Sequence, residues 1–173
     1  MSFEGHPRQI EGLKSAIALL ERPSCIPQPR PRGAKAAGLR FEKSLFAALS
    51  KGIRGQWFSF EDKNGPGYCQ TDILYSFLPR YMVVIEAKYT LVPGAHTKLV
   101  NLYLPVASKA LNAPVCGVVV VKNLDPRFRR GQIYTDLPSA AAASYEQGYP
   151  TLIQWSGQAL LPSSRHSSVR KAA

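Results

Sequence analysis

The chain is poor in cysteine, in acidic residues and in long apolar runs. Its three cysteines, Cys25, Cys69 and Cys116, form no C-x-x-C pair anywhere in the 173 residues. An odd, scattered set argues against a disulfide scaffold and favours a reducing compartment. A zinc site would need more ligands at closer spacing than these cysteines offer.

Other absences exclude further classes of protein. No apolar stretch approaches the roughly 20 residues that a membrane-spanning helix needs, and the N-terminus lacks the pattern of a signal peptide. The sequence contains no Gly-x-x-x-x-Gly-Lys-Ser/Thr phosphate loop and no Ser/His/Asp arrangement. We therefore expect a soluble protein with no membrane partner, located in the cytoplasm, or in the host cytoplasm if a phage encodes it.

Acidic residues are half as many as basic ones, 11 against 22, which gives a formal net charge of +11. The imbalance is greatest in residues 22–54, where Glu42 is the only acid among eight lysines and arginines. Such an excess predicts a polyanionic partner, most simply nucleic acid. A basic protein that is merely soluble is the alternative.

The N-terminal residues 1–32 are predicted to form a helix followed by an arm. Apolar residues recur at helical spacing over residues 7–21 and predict an amphipathic helix. Four prolines between positions 23 and 31 then exclude regular structure. Arg30 and Arg32 in this arm could contact phosphates, and a plain solvated linker is an equal alternative.

Residues 33–160 alternate helix and strand patterns and predict one α/β domain with a mixed central sheet flanked by helices. Strands 68–76 and 81–89 are predicted to form an antiparallel hairpin because the connection between them is short. Strand 115–122, which follows the helix 95–112, is predicted to run parallel to its neighbour. The predicted order is helix 33–51, strands 56–61, 68–76 and 81–89, helix 95–112 with a kink or break at Pro105, strand 115–122 buried on both faces, a basic loop 125–130, helix 139–147 and an edge strand 152–155. The remaining residues, 161–173, are predicted to be a basic, disordered tail.

Charged residues occupy unexpected positions in three of these elements. Glu86 and Lys88 end the apolar run that starts at Tyr81, and because they are two apart on a strand they share one face. A favourable hairpin register brings Asp72 next to Glu86. On the predicted helix 33–51, Glu42 falls on the inward face with the apolar residues. Charges at such positions are rarely retained unless they are paired, metal-bound or functional.

Asp72, the Glu86-Ala87-Lys88 triplet and Glu42 resemble the motif of the PD-(D/E)xK nuclease superfamily, which has a restriction-endonuclease-like αβββαβ core. The resemblance covers residues 33–122, and the helix-borne glutamate and small size are most similar to Holliday-junction resolvases and phage-type or repair nucleases. The chain departs from the family pattern in having Gln-Thr-Asp in place of Pro-Asp. It also lacks the Gln and Tyr, four apart, that many exonuclease-type members carry on the next helix.

The resemblance implies a Mg²⁺-dependent deoxyribonuclease, with Mn²⁺ able to substitute. Asp72 and Glu86 would hold the metal with the main-chain carbonyl of Ala87, Glu42 would complete or orient the site, and Lys88 would position the attacking water and offset charge on the phosphate. DNA would be the partner, and a symmetric homodimer is expected for an enzyme that cuts two strands. The residues expected to contact nucleic acid are Arg30, Arg32, Lys35, Arg40, Lys98, Arg127, Arg129 and Arg130.

Two alternatives stay open. One is a surface pair of Glu86 and Lys88 with Asp72 exposed on an edge strand. The other is a non-enzymatic DNA-binding or assembly component, in a phage particle or a repair complex, that keeps a nuclease-like fold. Lys98 could equally be a solvated helix lysine.

Overall fold

Two sheets and four helices make up the fold in the computed structural model, which describes residues 9–28, 31–77, 79–91, 94–124 and 132–162. The strands are β1 (Ser15–Leu19), β2 (Ile53–Arg54), β3 (Trp57–Asp62), β4 (Gly65–Gln70), β5 (Ile73–Phe77), β6 (Tyr81–Thr90), β7 (Val115–Asn123), β8 (Ile133–Tyr134) and β9 (Thr151–Gln154). The helices are α1 (Ala34–Leu49), α2 (Gly94–Lys98), α3 (Leu104–Leu111) and α4 (Leu137–Gln147), with a π-helical turn, Leu99–Tyr103, between α2 and α3.

The larger sheet is mixed and has six strands in the order β2-β5-β6-β7-β9-β8. β5 and β6 form an antiparallel hairpin, whereas β6, β7, β9 and β8 run parallel. The predicted α/β class, the antiparallel hairpin and the parallel β7 are therefore confirmed. The smaller sheet, in the order β1-β3-β4, is antiparallel.

Each face of the six-stranded sheet covers its own apolar core. Alternate residues of β6 divide between them: Val83 and Ile85 pack with α1 and α4, while Val84 packs with α3 and the small sheet. β7 divides in the same way and is buried on both faces, as predicted. The α1 face is lined by residues four apart, namely Phe41, Leu45 and Leu49.

The prediction of a helix over 7–21 is wrong for the described part of that segment. Residues Ser15–Leu19 form β1, paired antiparallel with β3 from Ser15 opposite Glu61 to Leu19 opposite Trp57. In this strand Ala16 and Ala18 pack against the core that lies between the large sheet, α3 and the small sheet, while Ile17 is 62% exposed. Apolar residues at helical spacing did not decide the structure, because pairing with β3 gives the backbone its hydrogen bonds.

The predicted strand 68–76 is in fact two strands that belong to different sheets. β4 pairs with β3 in the small sheet and β5 pairs with β6 in the large one, so the chain changes sheets at Thr71 and Asp72. Their main-chain groups bond elsewhere: the Thr71 N–H donates to Gln56 O at 3.0 Å, and Asp72 O accepts from the Gly55 N–H at 2.8 Å. The break places Asp72 at the end of β5.

Two further differences concern the C-terminal half. β9 is not an edge strand, because the two-residue β8 pairs with its outer side; so short a strand leaves no periodic pattern to recognise. Pro105 does split the predicted helix: the π-helical turn, in which the Leu104 N–H donates to Leu99 O, ends just before it. The predicted basic loop 125–130 and residues 163–173 of the predicted tail lie outside the described residues.

Candidate active site

Asp72 and Glu86 come together because of the register of the β5–β6 hairpin. Ile73 lies opposite Ile85, so Asp72 lies at the level of Glu86 and Ala87. Asp72 Oδ2 accepts a 2.8 Å hydrogen bond from the Ala87 N–H. This bond replaces the strand pairing that β5 no longer offers at its end, and it fixes the carboxylate beside β6. The juxtaposition predicted from the sequence is therefore present.

Glu86 is fully buried, with 0% of its side chain exposed. Its Oε1 lies 2.6 Å from Nζ of Lys88 and 3.7 Å from Nζ of Lys98. Within the described residues neither Glu86 carboxylate oxygen has a hydrogen-bond partner beyond these ion pairs, which lie at Oε1. A buried charged group without full pairing costs free energy, by several kcal/mol for an unpaired ion. Glu86 therefore has cationic partners at Oε1 and, among the described residues, a buried Oε2 without a hydrogen-bond partner.

The Asp72 carboxyl has a pKa raised from 3.8 to about 7. Burial is the largest cause, the nearby Glu86 carboxylate the next, and Lys88 opposes both. Two carboxylates held close in a low-dielectric site cannot both ionise freely. The Asp72 side chain keeps 21% of its surface exposed, so this carboxyl, unlike that of Glu86, is reachable from solvent.

Lys88 lies between the two carboxylates, 2.6 Å from Glu86 Oε1 and 4.0 Å from Asp72 Oδ2. Burial lowers its pKa, but Glu86 and Asp72 together raise it more, so the net pKa is above the ordinary 10.5. Lys88 is therefore an ammonium ion at neutral pH. It is suited to electrostatic stabilisation and positioning and is a poor proton acceptor.

Lys98 and Tyr103 belong to the same cluster, and the sequence did not predict this placement. Lys98 Nζ lies 3.7 Å from Glu86 Oε1 and 4.6 Å from the centroid of the Tyr103 ring. Burial, and then the charges of Glu86 and Asp72, raise the pKa of the Tyr103 hydroxyl well above 10. In a regular α-helix residues five apart do not face each other, and the π-helical turn brings these two together. The only sequence signal for that turn is Pro105.

Glu42 lies next to the cluster but has its own cationic partner. Its Oε1 accepts a 2.7 Å bond from Nε of Arg54, a residue of β2 that the sequence did not mark. Its charge contributes to the raised pKa of Asp72. Within the described residues no three His, Cys, Asp or Glu side chains group in a way that could hold a metal. Glu42 therefore does not join Asp72 and Glu86 as a third side-chain ligand in this arrangement.

Asp72 and Glu86 nevertheless fit a divalent cation that prefers oxygen. Glu86 Oε2 is buried and unpartnered among the described residues, and Asp72 holds a proton at a pH where a carboxyl is ordinarily ionised. Mg²⁺ is commonly held by one or two carboxylates, keeping several waters or substrate oxygens as its other ligands. Two acidic side chains are therefore enough for such an ion.

The other predicted nucleic-acid contacts fall into two groups. Arg32, two residues before α1, and Lys35 and Arg40 within α1 are exposed. The remaining predicted contacts lie outside the described residues; these are Arg30, Arg127, Arg129 and Arg130.

Comparisons with protein-family models, curated proteins and solved structures give no match for this chain. Among the described residues, no helix is long and apolar enough to cross a bilayer. The residues and their geometry are therefore the basis for a functional proposal.

Proposed function

We propose that this chain is a metal-dependent nuclease that hydrolyses DNA phosphodiester bonds and prefers branched or otherwise distinctive DNA structures of recombination and repair. The observation that carries the proposal is the pairing of Asp72 with the fully buried Glu86, next to Lys88. A fold gains no stability from a buried carboxylate oxygen without a partner. A ligand requirement explains why Glu86 is there.

Mg²⁺, or Mn²⁺ in its place, is the cation that these groups suit. Asp72 and Glu86 would hold it, with the main-chain carbonyl of Ala87 in support. When bound, the ion polarises a phosphoryl oxygen and makes a bound water more nucleophilic. Asp72 has a pKa of about 7 without the ion, so cation binding releases a proton from this carboxyl below that pH.

The two lysines provide the fixed positive charge of the site. Lys88 is held charged by the carboxylates, and its ammonium group offsets the negative charge that grows on the phosphate and orients the attacking water. Lys98 is half-buried, lies 3.7 Å from the same Glu86 oxygen and carries out the same electrostatic task from the helical layer. Lys88 holds its proton at neutral pH and does not remove one.

DNA is the proposed partner because the chain carries a net charge of +11 and three exposed basic residues on or beside α1, Arg32, Lys35 and Arg40. Phosphate contacts of this kind position a duplex without reading its sequence. We propose a symmetric homodimer for cutting two strands and a cytoplasmic location.

A non-enzymatic DNA-binding or assembly component on a nuclease-like fold is the second candidate. It is favoured by the two ammonium groups that already contact Glu86 Oε1 and by the lack of a three-ligand group among the described residues. In that case Lys88 and Lys98 would neutralise the Glu86 carboxylate, and the acidic cluster would have no catalytic role.

A cleavage assay separates the two candidates. Supercoiled plasmid, linear duplex and a four-way junction are incubated with the protein in Mg²⁺, in Mn²⁺ and in EDTA, alongside Asp72→Ala and Glu86→Ala. Glu61→Ala is the matched control, since Glu61 is an exposed acid of β3 in a surface pair with Lys14. The nuclease proposal expects cutting that needs metal, is lost in both site variants and persists in the control. No cutting by the wild type, or equal cutting by the site variants, refutes it.

A further inference from the structure

A separate cleft of about 360 Å³ opens at the carboxyl ends of β6, β7 and β9, on the α1 side of the sheet. Because these strands are parallel and in register, Tyr89 of β6 and Lys122 of β7 are neighbours, and Trp155, the residue after β9, lies next to them with its main-chain N–H donating to Val121 O at 2.8 Å. Carboxyl ends of parallel strands meet at one sheet edge, where α/β proteins commonly bind ligands. The cleft has the volume of a small-molecule site.

Three aromatic rings form the apolar part of this cleft. The centroid of the Phe41 ring lies 5.7 Å from that of Trp155 and 6.2 Å from that of Tyr89. Phe41 and Trp155 are almost fully buried, whereas Tyr89 is 39% exposed. Phe41, itself packed against Trp155, thus contacts the Tyr89 ring edge-to-face, and Tyr89 presents its exposed surface to an incoming planar group.

The polar part of the cleft is cationic. Arg40 and Lys122 line it, and Lys122 Nζ lies 5.0 Å from the centroid of the Tyr89 ring. No acidic residue lines it, and no carboxylate in the described ranges forms an ion pair with Arg40 or Lys122. The ligand that matches this wall is therefore anionic as well as planar.

We infer that the cleft binds one nucleotide unit of single-stranded DNA, with the base against Tyr89 and the phosphate between Arg40 and Lys122. Bases stack on aromatic rings whatever their sequence, and lysine and arginine neutralise the backbone. The cleft shares no residue with the acidic cluster and opens on the opposite face of β6, because Lys88 and Tyr89 are consecutive. The inference goes beyond the proposed nuclease activity and stands without it.

A binding titration in EDTA tests the inference without any cleavage. Fluorescein-labelled oligo-dT is titrated at several salt concentrations with the wild type, Tyr89→Leu, Tyr89→Phe and Lys122→Gln, and circular dichroism verifies each fold. Tyr89→Leu is expected to weaken binding about 5-fold or more, the size of losing one base–aromatic stack. Tyr89→Phe keeps the ring and should bind like the wild type. Lys122→Gln should make the slope of log K against log salt less steep by about 0.7.

Lys14→Gln is the matched charge control, since Lys14 pairs with Glu61 on the small sheet, across the large sheet from the cleft. Lys14→Gln should leave the affinity for oligo-dT unchanged, and adding Tyr89→Leu to it should weaken binding as much as in the wild type. An abasic oligonucleotide of equal length should bind the wild type as weakly as oligo-dT binds Tyr89→Leu. Free dTMP that competes at the affinity of the strand would identify the ligand as a free mononucleotide instead of a DNA strand, and would overturn the strand assignment.

Equal affinity of Tyr89→Leu and Tyr89→Phe for oligo-dT refutes the inference, as does polyglutamate binding as tightly as oligo-dT. A failed cleavage assay with intact, Tyr89-dependent binding would count against the nuclease proposal alone. Cleavage without Tyr89-dependent binding would count against the cleft alone.

Discussion

Asp72→Asn should remove a pH-dependent loss of stability that the acidic cluster imposes on the fold. The pKa of Asp72 is 3.8 in ordinary surroundings and about 7 in the folded protein, chiefly from burial and then from the Glu86 charge. Between these values the folded state binds more protons than the unfolded state, so stability falls as pH rises. Asparagine cannot ionise, and its side-chain oxygen can still accept the Ala87 N–H bond.

The size of the effect follows from the two pKa values. Each tenfold difference in proton affinity corresponds to about 1.4 kcal/mol. Integrated between pH 5 and pH 8, the ionisation of Asp72 lowers the free energy of unfolding by roughly 2 to 3 kcal/mol. Lys88 contributes nothing in this window because its pKa lies above 10.5 in the folded protein.

Urea denaturation in EDTA, at intervals from pH 5 to pH 8, measures this directly. Between pH 5 and pH 8, the free energy of unfolding of Asp72→Asn relative to that of the wild type should rise by roughly 2 to 3 kcal/mol. Glu61→Gln, which alters an exposed acid, should run parallel to the wild type. Parallel curves for Asp72→Asn and the wild type would refute the electrostatic account of the site. If the cluster holds a cation, Mg²⁺ at 100 times its dissociation constant should restore about 2.7 kcal/mol to the wild type at pH 8, and none to Asp72→Asn.

Two further predictions use the same measurements. Glu86→Gln removes the second cause of the raised Asp72 pKa, so the loss of stability with rising pH should end at lower pH and be smaller in total than in the wild type; an unchanged profile would mean that the two carboxylates do not interact. Leu45 is fully buried in the core under α1, so Leu45→Ala should lower the free energy of unfolding by about 2–5 kcal/mol in urea denaturation. Leu20 is fully exposed, so the control Leu20→Ala should change it by less than about 0.5 kcal/mol. A cost for Leu45→Ala close to that of Leu20→Ala would contradict the packing described for α1.

Long periodic patterns were enough to predict the α/β class and most elements. α1, β6, β7 and α4 lie within a few residues of the predicted ranges, because their apolar periodicity matches the face that each one buries. One exception is the predicted N-terminal helix, of which Ser15–Leu19 form a strand. Its few apolar residues suit a helix locally, but β3 provides an open edge with which they pair.

The sequence by itself determined the chemistry of the candidate site: a strand ending in Glu86 and Lys88, an Asp at hairpin distance and a strong excess of basic charge. Side-chain type and a two-residue strand period suffice for that. Only the tertiary structure decided which groups meet. It paired Glu42 with Arg54, brought Lys98 over Tyr103 through a π-helical turn, and aligned Tyr89, Lys122 and Trp155 at one sheet edge. Those contacts depend on register and helix geometry between distant segments, which no local pattern encodes.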